Sequence, residues 1–332
     1  MSQDQPSSPK PYDFVSFPAT KPTLSKPIGH DQYQRGRLHG VLYLTLQVQT
    51  ALHVSTGITA LGSDVGSHLP LIKTMTTTLG QQLVLQGSSL KGCVRSAYES
   101  ITNSTLAIST GRYRDKIPPD RLPSRDKTKL CPASRVFGAM DWQGLVSFSD
   151  AKCLAAQPSV GFMPSLYSPH PDSPIYTVRG RVPGRKFYYN MTKAVDSGEQ
   201  RGIPVQQASR SYLFETVVHY KNLLPEELGI LLLILGQDPQ SPITLKVGGG
   251  KPIGMGTMTV EVTAIEQFQD VTQRYHQYKV DNAKLTDRTM QDFMKRQIAV
   301  AHASKLLEKE QWQQLATILK YPGEQEPPEG MY

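Results

Sequence analysis

Residues Gly87–Ser100 read GSSLKGCVRSAYES, and the spacing of their apolar side chains decides what kind of fold surrounds them. Leu90, Cys93, Val94, Ala97, Tyr98 and Ile101 recur at helical intervals and share one face of an α-helix. Lys91, Arg95 and Glu99 follow at i, i+4 on the opposite face, and Ser88 or Ser89 is the expected N-cap. Upstream, GVLYLTLQVQT (40–50) alternates Val41, Tyr43 and Thr45 against Leu42, Leu44 and Leu46, the two-residue period of a strand. Downstream, GLVSFSDA (144–151) and SYLFETVVHY (211–220) have strand character. LLPEELGILLLILG (223–236) opens with Pro225 and acids in the first turn and stops at Gly236, which predicts a short buried helix. PITLKV (242–247) and TMTVEVTAI (257–265) are strands flanking the loop GGGKPIGMG (248–256). The order strand, helix, strands, helix, strands predicts an α+β fold, an antiparallel sheet with its helices on one face in the ferredoxin-like arrangement.

Working outward, residues 1–38 are rich in Pro, Ser and Lys and read as an extended arm, which a neighbouring subunit is expected to hold down. Residues 39–265 form the sheet domain, with long aperiodic insertions at about 102–130 and 152–210. The first carries seven Lys/Arg against three Asp and is expected to be exposed. Residues 266–332 read as a helical extension, with Met290, Met294, Ile298 and Ala301, then Trp312, Leu315 and Leu319, at helical spacing.

At 332 residues and 38% hydrophobic content the chain can bury one large core or two modest ones. Its longest purely apolar run, Ile230–Leu235, is far short of the roughly 20 residues that cross a bilayer, and the N-terminus has no apolar signal segment, so no membrane partner and a cytoplasmic location are expected. Cys93, Cys131 and Cys153 are odd in number and form no C-x-x-C pair, which argues against a disulfide framework and a cysteine-built metal site. No H-x-H or H-E-x-x-H pattern occurs among the eight histidines, so no metal ligands are assigned. A net charge of +8 favours an anionic partner.

The glycine-rich stretches narrow that partner. A nucleotide-binding P-loop places Lys and Ser/Thr after its second glycine; here Gly92 is followed by Cys93 and Val94, and Lys91 precedes it. GGGKPIGMG fails the dinucleotide fingerprint because Ile253 stands at the third glycine position and a strand follows. Both loops can nevertheless bare backbone N–H groups to a phosphate, at Gly87, Ser88 and Ser89 and at Gly249, Gly250, Gly254 and Gly256, with Lys91 and Lys251 adding charge. The alternative is that each loop is only a tight turn. Around RGRVPGRKFYYN (179–190), Arg179, Arg181, Arg185 and Lys186 offer phosphate contacts and Tyr176, Phe187, Tyr188 and Tyr189 stacking surfaces; the alternative for Phe187 and Tyr189, which alternate with Tyr188, is that they are core residues of a strand. Arg95 and Arg135 complete the basic candidates.

GSSLKGCVRSAYE, CPASRVFG (131–138) with GLVSFSDA, PGRKFYYN (183–190) and GGGKPIGMG, in that order across roughly Gly40–Ile265, resemble the RAMP superfamily of CRISPR-associated proteins, specifically the backbone subunits of type III effector complexes. The resemblance implies a ferredoxin-like fold modified from the RNA-recognition module, and assembly with other effector subunits in a hetero-oligomer. It implies contacts from the glycine-rich loop and the entrance of helix 1 to the backbone of a guide RNA, and a thumb hairpin, somewhere in 152–210, inserted into the guide–target duplex. Some such subunits cut target RNA with an aspartate before helix 1 and a divalent ion such as Mg²⁺. In this sequence GSHLPLIKT (66–74) puts His68 at the corresponding place, and Asp64 lies upstream in the same loop. A hard cation prefers carboxylate oxygen, so the substitution disfavours metal-assisted cleavage. A metal-free route would draw on His68, His53 or Tyr43. The expectation is therefore an RNA-binding subunit with no firmly bound cofactor, and a target-RNA nuclease as the alternative.

Overall fold

Leu42, Leu44, Leu46 and Val48 point to one side of their strand and are at most 2% exposed, whereas Tyr43, Thr45 and Gln47 point to the other. The computed structural model describes residues 10–107, 111–124, 126, 128–154, 158–164, 176–195, 202–268, 272, 276 and 283–327. In chain order its elements are β1 (Tyr12–Ser16), β2 (Leu38–Val48), β3 (Ser55–Leu61), β4 (Leu71–Met75), β5 (Val84–Leu85), α1 (Gly87–Ile101), α2 (Pro132–Phe137), β6 (Gly138–Ala139), β7 (Trp142–Gln143), β8 (Val146–Phe148), β9 (Ala151–Cys153), β10 (Ser159–Pro164), β11 (Gly184–Tyr188), β12 (Gly202–Gln207), β13 (Leu213–Leu223), α3 (Pro225–Ile234), β14 (Leu245–Lys246), β15 (Thr257–Gln267), β16 (Ala283–Leu285), α4 (Asp287–Ala303) and α5 (Lys309–Leu319).

The central sheet runs β14-β15-β2-β13-β9-β5, with β8 also on β13 and β16 on β15. Within it β15, β2, β13 and the β8–β9 pair are the fourth, first, third and second strands of a ferredoxin-like unit, all antiparallel. Register is set by burial: Leu46 opposes Phe214 on one side and Val260 on the other, and a one-residue slip would turn the β2 leucines to solvent. GLVSFSDA is a strand interrupted at Ser149–Asp150, and of PITLKV only Leu245–Lys246 is paired as a strand.

Helices α1 and α3 cover the leucine face, with Leu90, Val94, Tyr98 and Ile101 of α1 fully buried there. Each such aliphatic side chain contributes about 1.5–3 kcal/mol by leaving water. Ile230–Ile234 is buried on every side because α3 lies between the sheet and α4. Residues Trp312, Leu315, Ile318 and Leu319 of α5 join the same core, against α1 and β1.

Three expectations change here. Helix α1 begins at Gly87 with Gln86 as its N-cap residue, not Ser88 or Ser89, and the cap is supplied from afar: Asp150 Oδ1 accepts from the Gly87 N–H at 2.8 Å. The arm, in turn, is held by its own chain. Strand β1 pairs with β11, the Ser16 N–H donates to Gln314 of α5, and Arg121 donates to the carbonyls of Pro18 and Thr20. Arg121 comes from the insertion expected to be exposed, yet it is 2% exposed because those carbonyls and Asn103 satisfy its guanidinium.

A second sheet, β10-β12-β4-β3, is built from the loop before α1 and the second insertion. A small core of Met163, Val205, Ile253 and Met255 joins it to the loop GGGKPIGMG, so that loop sits at the junction of the two sheets. The connection from β10 to β12 passes through β11, so this insertion is not a simple hairpin; residues 165–175 and 196–201 of it lie outside the described residues. Among the described residues no helix is long and apolar enough to cross a membrane.

Candidate nucleic-acid interface

Along α1, Ser89, Gly92, Cys93 and Ser96 follow at steps of three and four, a stripe of small side chains beside the buried face. The stripe forms one wall of a cavity of about 400 Å³ whose other walls are Gly248, Gly249 and Lys251 of the glycine loop and Val54 and Ser55 at the start of β3. A second cavity of about 330 Å³ shares Cys93, Ser96 and Lys251 and continues along Arg185, Lys186, Phe187 and Tyr188 of β11. Two glycine-rich segments far apart in sequence therefore line one groove.

The glycines of this groove have different reasons to be glycine. Gly254 and Gly256 have φ of +93° and +86°, and a side chain there would run into the Lys193 and Val247 carbonyls; their role is in the loop's own packing. Gly87 is pressed against the Phe148 carbonyl and its N–H is taken by Asp150, so it presents no donor to a ligand. At Gly92, by contrast, an added Cβ meets no atom within 4 Å, and at Gly249 it makes only ordinary contacts of 3.7 Å and longer. Nothing among the described residues requires glycine at these two positions, and both open onto the cavity.

The groove is cationic. Lys251 lines both cavities, and Lys246, 5% exposed, lines the second. Lys246 Nζ donates to the Gly254 carbonyl and Thr257 Oγ1, each at 3.0 Å; burial, then the charge of Lys251, pulls its pKa down to about 7. Arg185 donates to Ser96 Oγ at 2.9 Å and pairs with Glu99, which also holds Arg95. The ammonium of Lys186 lies over the rings of Tyr12 (4.6 Å), Tyr188 (4.7 Å) and Tyr176 (5.3 Å). That cage leaves Tyr188 on the cavity wall, while Phe187 and Tyr189 pack against the main core as the strand alternation implied.

The remaining candidates are elsewhere. Ser88 is exposed on the first turn of α1. Lys91 is half-buried beside Arg95, and burial and then that neighbour's charge lower its pKa. Arg135 donates to Ser25 Oγ at 2.7 Å and so ties α2 to the arm, and Arg179 and Arg181 occupy an exposed turn before β11. Gly250, at φ +64°, starts the short turn that presents Lys251. Sequence reading missed Ser96, Lys246 and Glu99. The small-residue stripe at helical spacing was a signal for Ser96, but no local pattern marks the other two.

Asp64 and His68 are both exposed, in the β3–β4 connection, and Asp64 Oδ1 accepts only a long 3.4 Å bond from Ser63. Among the described residues no group of three or more His, Cys, Asp or Glu is arranged to hold a metal ion, so one exposed carboxylate is all this loop offers Mg²⁺. Of the other metal-free candidates, Tyr43 donates to Glu266 at 3.0 Å, a bond that with burial raises its pKa, and buried His53 donates from Nδ1 to the Gln206 carbonyl, its pKa lowered by burial and its Nε2 sealed away from solvent. A larger hollow, about 470 Å³, lies on the open face of the central sheet; Asp150 and Glu215 line it against the single cation Lys152, which suits a polyanion less than the glycine-lined groove does.

The family model of the RAMP superfamily matches residues 45–259, from β2 to the start of β15, and so takes in α1, β11 and the glycine loop. No curated protein matches the chain.

Proposed function

This chain belongs to the RAMP superfamily, which implies a CRISPR-associated, RNA-binding role, and we propose that it serves as a backbone subunit of a type III effector, holding guide RNA by its phosphates and helping to position target RNA. The observation that carries this reading is the pair Gly92 and Gly249. Two glycines that the fold does not require stand on different walls of one basic groove, where a sugar-phosphate strand can approach the backbone closely. Lys251 and Arg185 supply charge along the groove, and Tyr188 supplies a ring for stacking. The pair β10–β12 is the element we assign as the thumb. Assembly with other subunits draws on the second sheet, where Ile58, Leu61, Leu71 and Val160 are 43–64% exposed. The subunit is read as a scaffold, because among the described residues Asp64 belongs to no group of three or more side chains that could hold a metal ion.

The test is binding of a labelled single-stranded RNA to the purified full chain across a salt series. Phosphate neutralisation releases counterions, so log affinity should fall linearly with log salt, by about 0.7 for each phosphate contacted. Affinity that is absent or flat with salt refutes the reading.

A further inference from the structure

Glu99 was expected on the solvent face of α1, yet its side chain is 1% exposed and two arginines close over it. Arg95 Nε donates to Oε1 at 2.7 Å, and Arg185 NH1 forms an ion pair with Oε2 at 2.5 Å without hydrogen-bond geometry. The arginines reach it from different elements, α1 and β11, and each makes one further bond: Arg95 to Ser134 Oγ at 3.3 Å, Arg185 to Ser96 Oγ at 2.9 Å. Glu99 thus continues the stripe Ser89–Gly92–Cys93–Ser96 by one turn, behind Arg185, which lines the second cavity, while Arg95 lies outside that lining and reaches toward α2. A buried carboxylate is an odd occupant there, because it cancels one of two positive charges beside a surface that attracts phosphate. Its use is geometric. Two guanidiniums brought together repel each other and swing; one carboxylate with two oxygens holds both, and the fork of each arginine keeps N–H donors to offer a ligand.

We propose that Glu99 is the positioning residue of the RNA groove, locking Arg185 on the groove wall, with Arg95 beside it, into a paired clamp for a backbone phosphate. The proposal rests on the RNA-binding reading and names the residue that organises its cationic end. Glu99→Gln keeps the shape but offers one acceptor oxygen to two guanidiniums, and it raises the net charge of the cluster. Pure electrostatics therefore expects tighter RNA binding from this variant, whereas positioning expects weaker binding.

The experiment measures affinity of the full chain for a fluorescein-labelled single-stranded RNA across a salt series, for wild type, Glu99→Gln, Arg185→Ala and the double variant. The expected result is about a tenfold loss for Glu99→Gln, roughly 1.4 kcal/mol, with the salt slope smaller by about 0.7 for each phosphate that the clamp no longer holds. In the Arg185→Ala background the same change should cost much less, because the two act as one unit. Unchanged or tighter binding by a folded Glu99→Gln chain overturns the proposal. Where that chain lacks a cooperative melt, Arg185→Lys decides: it keeps the charge but cannot span Glu99 and Ser96 together, so wild-type affinity and slope there overturn the proposal, and their loss supports it. A wild-type chain with no salt-dependent RNA affinity refutes the RNA-binding reading and this inference with it, whereas normal wild-type binding with an unaffected Glu99→Gln refutes this inference alone.

Discussion

Gly92→Ala separates what the fold needs from what the groove needs. Gly92 lies inside α1, is exposed, and has open space where a Cβ would go, so alanine introduces no clash. Replacing glycine by alanine in an exposed helix interior stabilises by about 1 kcal/mol, because the unfolded chain loses conformational freedom. With an unfolding entropy of about 2.1 cal/mol/K per residue over 332 residues, that gain corresponds to a rise of about 1.4 °C in melting temperature. The same methyl group projects into the cavity opposite Gly249 and Lys251, where it holds a phosphate off the helix backbone. The Gly92 N–H is already bonded within α1, so the contact at risk is the phosphate's bond to Lys251 across the cavity; losing one charge-assisted hydrogen bond costs about 1.5–3 kcal/mol, a weakening of roughly 12- to 160-fold. Thermal melting and fluorescence anisotropy with single-stranded RNA, run on the same preparation, read both effects. A stabilised protein with clearly weakened RNA affinity is the expected pair of results. A Gly92→Ala chain that binds RNA as wild type does, with the same salt slope, would refute the close-approach reasoning, since the methyl has nowhere to lie but in the groove.

Lys251→Ala should weaken RNA binding similarly for all sequences and lower the salt slope by about 0.7, as removal of one phosphate-binding charge does; a sequence-selective loss would mean that Lys251 reads bases. Lys246 links stability to pH. Its folded pKa of about 7 lies below the unfolded 10.5, so between those values the unfolded chain binds more protons and stability climbs as pH rises, by at most about 1.4 kcal/mol per pH unit; below about 7 the full burial penalty applies. Denaturant midpoints measured over that window should rise with pH in the wild type and flatten in Lys246→Met, and equal slopes would contradict the burial of this charge. Arg121→Ala should cost about 3 kcal/mol or more by stranding the carbonyls of Pro18 and Thr20, and should make the arm protease-sensitive; an arm that stays protected would show that β1 alone secures it. Asp64→Ala in an assembled effector is expected to leave every target-RNA cut in place, and loss of one cut position would assign that cut to this subunit.

The two-residue period of Leu42, Leu44 and Leu46, the helical spacing from Leu90 to Ile101, and Pro225 with Gly236 around an apolar run were enough to order the elements, and the order carried the ferredoxin-like sheet. These signals are local: each rests on side chains within a few residues of one another, where backbone geometry alone dictates which face they share. Glycine-rich chemistry was equally legible at residues 87–92 and 248–256. Which of those glycines serve the fold and which open to solvent was not, because it depends on partners distant in sequence. Asp150 occupies the Gly87 N–H, the Val247 carbonyl crowds Gly256, and Gly92 and Gly249 remain open to a groove. The same holds for Glu99, whose i, i+4 spacing from Arg95 reads as a surface pair until β11 arrives with Arg185 and buries it. Sequence by itself determined the main strands of the central sheet, its two covering helices and the kind of chemistry they carry, whereas β1, β11 and the second sheet arose in stretches without a period. The tertiary structure alone decided which residues meet, because strand order and the docking of β11 and the arm are set by long-range burial that no local period encodes.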